Sequence, residues 1–99
     1  MKYAYSLLNE AQKEYEADVL WYSRKSYLVA INFIEDFENT VKHICENPKR
    51  WRNEYKSFHE LGLKKYPYVI IYTIEESQNM VLITAVFHTS RNPEKKIKN

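Results

Sequence analysis

The chain has 99 residues, 44% apolar and 15% aromatic, richer than disordered segments and enough for one core in a single domain spanning residues 1–99. Its net charge of +2 is split unevenly, with five Lys/Arg against eight Asp/Glu in residues 1–47 and ten against five in residues 48–99. One cysteine excludes an internal disulfide and one glycine excludes a glycine-rich phosphate loop. No residues show metal-ligand spacing, no cofactor is implied, and no apolar run reaches the roughly 18–20 residues of a membrane span, so a cytoplasmic location is expected.

The first segment, Tyr3-Ala4-Tyr5-Ser6-Leu7-Leu8, alternates in the manner of a short strand. Asn9 with Gln12 three residues on reads as an N-cap with a capping box, which starts a helix at Glu10. Ala11, Tyr15, Val19 and Tyr22 form its apolar stripe over roughly fifteen residues. Ser26 can cap a second helix with the stripe Tyr27, Ala30, Ile31, Ile34, Phe37, Val41, Ile44 and Cys45. Asn47-Pro48 ends it, because the residue before proline leaves the α region. Only Arg24-Lys25 joins the helices, so they form an antiparallel hairpin that needs a sheet to lie on.

A polar loop over residues 49–56 follows, carrying Lys49, Arg50, Trp51, Arg52 and Lys56. Three strands are expected after it, Phe58 to Lys65, Tyr68 to Ile74 and Met80 to Phe87, the last two joined by a polar turn over residues 75–79. The middle strand is apolar on both sides of the pleat and belongs in the centre. The expected fold is α+β, with the order β-α-α-β-β-β, an antiparallel sheet and the helical hairpin on one face. A lysine-rich tail closes the chain at about residues 94–99.

These strands bring His88, Arg91 and the tail lysines to one sheet edge, a place to bind or cut an anionic target or to meet a partner. Trp51 between Arg50 and Arg52 is either a stacking platform for single-stranded RNA or a loop anchor in the helix-sheet seam. Leu20, Trp21, Leu28, Val29 and Phe33 lie outside the helical stripes and suggest an exposed apolar binding face.

Five segments in order also carry a family likeness: Asn9-Glu10-Ala11, Trp21-Tyr22, Asn47-Pro48, the run from Lys65 through Tyr66-Pro67-Tyr68-Val69-Ile70-Ile71-Tyr72, and Val86-Phe87-His88-Thr89-Ser90-Arg91-Asn92-Pro93. Together they resemble the RelE/ParE superfamily of bacterial toxins. The resemblance implies the toxin of a type II toxin-antitoxin pair, silenced by a cognate antitoxin that covers the hairpin patch, the sheet or both; a homodimer is compatible with it. RelE-like members cut messenger RNA on the translating ribosome, and ParE-like members poison DNA gyrase. For the ribonuclease, the resemblance implies His88 as acid-base group, Arg91 with Lys64 or Lys65 as charge stabilisers, and Tyr72 as an orienting hydroxyl or stacking surface. Tyr72 shares strand parity with Tyr68 and Ile70 and reads equally as a core residue. His88 can instead close the last strand by donating to a turn carbonyl, and Arg91 can end the sheet on a helix carboxylate. Target contacts are expected on Lys64, Lys65, Arg50, Arg52, Trp51, Arg91 and Lys95. Val69, Glu60 and Gly62 stand where some ribonucleases carry cations, and the His-x-x-Arg-Asn-Pro ending is closer to the ParE-like plasmid-stabilisation branch, so a gyrase poison is favoured over a ribonuclease.

Overall fold

A computed structural model of the chain describes residues 2–90, with backbone alone at 54 and 55. Strand β1 (Ala4–Leu7) leads into helices α1 (Asn9–Lys25) and α2 (Tyr27–Glu46), followed by β2 (Asn53–Tyr55), β3 (Phe58–Gly62), β4 (Tyr68–Glu75) and β5 (Met80–His88). The strand order is β1-β5-β4-β3-β2; β3, β4 and β5 form the expected antiparallel run, and β2 extends it at one edge. The α+β class and the hairpin on one face follow the sequence reading.

Three details differ. Strand β1 pairs with β5 in parallel, Ala4 opposite Met80 through Leu7 opposite Ile83, so the sheet is mixed; a strand's direction is a long-range property that its own residues do not encode. The polar loop hides β2, which pairs with β3 at the other edge. Strand β3 stops at Gly62 instead of Lys65: the Leu63 amide still bonds the Tyr68 carbonyl, and the amides of Lys64, Lys65 and Tyr66 then turn onto a helix side chain.

Helix α1 begins one residue early. Leu8 is its N-cap and makes no side-chain cap, so Asn9 is already helical and Gln12 bonds Glu16 instead of closing a capping box. Ser26 caps α2 as expected, its hydroxyl accepting from the Val29 amide at 3.4 Å, and Asn47 closes it. The core between helices and sheet joins Ala11, Phe33, Phe37, Val41 and Ile44 to Ile70, Tyr72, Val81, Ile83 and Val86. Phe33, expected on an outer patch, is 0% exposed, and Tyr27, expected on the stripe, is 78% exposed. Phe33 packs against Tyr22, Tyr66 and Tyr68 at centroid distances of 5.0 to 5.4 Å. It faces α1 and the sheet together, so the buried arc of α2 is wider than a single stripe. Cys45 is buried there as a small hydrophobe.

The opposite face of the sheet holds a second cluster of Ile71, Ala85 and Phe87 with Phe58 and Val69. A register shift at Ile71/Tyr72 leaves an additional residue in β5, opposite the junction. The bulge lets Val81, Ile83 and Val86 all face the helices despite their unequal spacing.

Candidate functional site

Two polar surfaces flank the fold. The first lies where α2 meets β2 and β3. Asp36 is on α2 and only 6% exposed, yet its carboxylate accepts three backbone N–H bonds, from Lys64 at 3.1 Å, Lys65 at 2.7 Å and Tyr66 at 3.1 Å. The β3–β4 turn is thereby closed on an anion, and the Lys64 and Lys65 side chains are left at the surface. Lys64 shares a cleft of about 340 Å³ with Arg50, Trp51 and His43. Arg50 caps the Trp51 ring at 4.8 Å. Trp51 donates its indole N–H to the His43 carbonyl at 3.3 Å and packs against the core. The anchor reading of Trp51 therefore fits, with one ring face held by a cation. Arg52 lies 3.8 Å from Glu60.

Tyr72 lies in the core between helices and sheet. It is 0% exposed, donates its hydroxyl to the Pro48 carbonyl at 2.6 Å, and stacks on His59 at 5.3 Å. Burial pushes its hydroxyl pKa well above the ordinary tyrosine value, so it stays neutral. His59 is structural, its Nδ1 lying 3.0 Å from the Trp51 carbonyl, which fixes the proton on Nδ1. Tyr72 also lies four residues along β4 from Tyr68, the register partner of His88, a separation of about 13 Å.

His88 sits on the second surface. Its Nδ1 accepts the Ser90 amide at 3.1 Å and lies 2.7 Å from the Ser90 hydroxyl. An amide can only donate, so the neutral ring carries its proton on Nε2. The turn therefore donates to the ring, the reverse of the bond expected from sequence. The ring meets Tyr68 edge-on at 4.9 Å. Both belong to a cleft of about 420 Å³ that also includes Asp18, Trp21, Tyr22 and Ser90. Burial, with hydrogen bonds to Tyr22 and Asp18, raises the Tyr68 hydroxyl pKa. Arg91 and Lys95 lie outside the described residues.

The apolar face expected on the hairpin is present in part. Leu20, Trp21 and Leu28 are 51%, 52% and 65% exposed at its tip, joined by Tyr27. Val29 is half-buried, its carbonyl accepting the Tyr66 hydroxyl at 3.2 Å, and Phe33 is removed to the core. Sequence reasoning missed Asp18 and Asp36. The available signal was a carboxylate at apolar-stripe spacing, seven residues after Ala11 and three after Phe33.

The two-helix layer lies over one face of a mixed five-stranded sheet. The ParE toxin of type II toxin-antitoxin system, parDE, matches residues 5–93, and the chain belongs to that family. Among solved structures, the chromosomal ParDE toxin-antitoxin system from P. aeruginosa is similar at TM-score 0.74 and 13% identity, covering 90% of this chain and 98% of that one. The isolated E. coli RelE toxin gives 0.61 and 16%, covering 95% and 92%. The RelBE2 complex from Mycobacterium tuberculosis gives 0.57 and 15%, covering 89% and 99%. At these identities the likeness is one of fold. No curated protein matches in sequence. No described helix is long and apolar enough to cross a membrane.

Proposed function

We propose that this type II toxin arrests growth in the cytoplasm by binding DNA gyrase, and that a cognate antitoxin encoded beside it holds it silent. The observation that carries this reading is the chemistry of the sheet. Among the described residues, none on a strand is lysine or arginine. On the side turned away from the helices, Ile71, Ala85 and Phe87 are buried in a second apolar cluster with half-buried Phe58 and Val69, and Glu60 is registered opposite Ile71. Side-chain ribonucleolysis has to spread charge from a phosphorane onto nearby cations, and the described strands supply none of their own. The exposed apolar hairpin tip suits protein contact instead. Leu20, Trp21 and Leu28, with half-buried Val29, form the antitoxin surface in this reading.

The ribonuclease alternative has in its favour the half-buried His88 on a cleft beside Tyr68 and the cleft that Lys64 shares with Arg50 and Trp51. Expression without antitoxin separates the two. The gyrase reading expects the DNA-damage response and broken chromosomes while translation continues. Prompt arrest of translation, with cut transcripts and normal supercoiling, overturns it.

A further inference from the structure

Asn47 closes α2, and the chain turns back there, the Arg50 amide donating to the Asn47 carbonyl at 3.1 Å. The turn sets the Trp51 indole against the last turn of α2, through its bond to the His43 carbonyl, and the Arg50 guanidinium over the ring at 4.8 Å. A guanidinium lying on a ring keeps its N–H edge able to donate. The 340 Å³ cleft beside this turn has Lys64 as a second cationic wall, its backbone amide held by the Asp36 carboxylate. Two permanent cations from separate segments are thus placed at one cleft.

Among the described residues the neighbouring basic side chains are ion-paired, Lys49 with Glu76 and Arg52 with Glu60, whereas neither Arg50 nor Lys64 has a carboxylate partner. Glu46 also borders the cleft, but its carboxylate lies 3.8 Å from the His43 Nδ1. An anion with several oxygens answers both cations at once, the fork of Arg50 taking two and the Lys64 ammonium a third. A tetrahedral phosphoryl group offers that many, and a carboxylate does not. A second cleft of about 260 Å³ adjoins, sharing Thr40, His43 and Lys64 with the first and adding Lys65. Glu35 and Asp36 border it too, Asp36 already engaged by three amides, which makes it the weaker anion position.

We propose that the first cleft binds a phosphate of a nucleic-acid strand between Arg50 and Lys64, the strand continuing past Lys65. A strand is favoured over a free phosphate because the two clefts adjoin through Lys64, which gives a linked second phosphate a cation to reach. The ten Lys/Arg against five Asp/Glu in residues 48–99 add attraction for a polyanion. Contact is through phosphate and not through base stacking, because Arg50 covers one face of Trp51 and the ring packs against the core. DNA held by gyrase and messenger on the ribosome both present such a strand, so the inference goes beyond the choice of target.

The test needs neither gyrase nor ribosome, so its failure is distinguishable from failure of the target reading. With Trp21 replaced (Trp21→Phe), Trp51 becomes the sole indole. Its fluorescence is followed during titration with an oligothymidylate of about eight nucleotides, or with inorganic phosphate at matched ionic strength. The oligonucleotide is expected to give a saturable, salt-sensitive change, about tenfold tighter than phosphate or more. Arg50→Gln and Lys64→Gln should each weaken it about threefold or more and lower the salt slope by about 0.7. Anisotropy of a labelled strand gives the same constants where the indole signal itself is altered. Lys13→Gln, which removes an equal charge from an exposed position on α1, should leave both quantities unchanged. No saturable binding of the strand, or equal losses in Lys13→Gln and Lys64→Gln, would overturn the proposal. A strand bound no tighter than inorganic phosphate would overturn its assignment to nucleic acid.

Discussion

Replacing Asp36 by asparagine isolates the contact that shapes the β3–β4 turn. One carboxylate oxygen accepts from Lys64, and the other accepts from Lys65 and Tyr66. Asparagine keeps the side-chain shape but has a single acceptor oxygen. It can retain the pair at 65 and 66 as weaker neutral bonds, while its NH₂ group meets the Lys64 amide as donor against donor. Hydrogen bonds to charged groups contribute about 1.5–3 kcal/mol. Losing one outright and weakening two, with water able to reach the exposed backbone near Lys64, gives a cost of about 2–3 kcal/mol. Asp36→Ala, which leaves all three donors to water or to nothing, should cost about 3–5 kcal/mol. In a domain of this length each kcal/mol shifts the melting temperature by about 4–8 °C, so Asp36→Asn should melt roughly 10–20 °C lower. Circular dichroism melts measure this, and amide exchange localises it, since the Lys65 amide should lose its protection. A melting temperature within about 2 °C of wild type, or an equally protected Lys65 amide, would refute the assignment of Asp36 as the turn's anchor.

Tyr72→Phe should fold, lose about 1–2 kcal/mol in urea denaturation by stranding the Pro48 carbonyl, and remain fully toxic; lost toxicity with a native spectrum would return Tyr72 to the site. Phe33→Ala should cost about 3–5 kcal/mol, and Leu28→Ser at the exposed tip within about 0.5 kcal/mol, measured by the same denaturation. The Lys49–Glu76 pair at 2.8 Å holds the Glu76 carboxyl below its ordinary pKa, chiefly through the hydrogen bond from Lys49. Because that folded-state pKa is depressed, its small stabilisation is present above the unfolded glutamate value and fades as pH falls through the folded one. NMR titration of Glu76 should show the depressed midpoint, and Lys49→Gln should return it toward normal; an unchanged midpoint would contradict the pairing.

Local patterns carried the elements well. The stripe of α2, its Ser26 cap and its Asn47-Pro48 stop were legible, because each rests on spacing or on the backbone chemistry of single residues. The doubly apolar β4 was legible as the central run of the meander for the same reason. What escaped depended on contacts between distant segments. The parallel pairing of β1 and the three-residue β2 are set by neighbours far away in the chain. Phe33 was misplaced although it lies three residues after Ala30 and four before Phe37, because one stripe was drawn where α2 buries a wider arc. Asp18 and Asp36 carry no local signal beyond their spacing on the helices. Their meaning comes from amides and hydroxyls about 30 to 50 residues further along the chain.

The target is tested most directly with purified components. The toxin is mixed with gyrase, ATP and supercoiled plasmid, and in parallel with translating ribosomes carrying a defined messenger RNA. A gyrase poison gives linear plasmid covalently attached to the enzyme after detergent treatment, and leaves the messenger intact. Messenger cut on the ribosome, with supercoiling by gyrase unimpaired, would contradict the account.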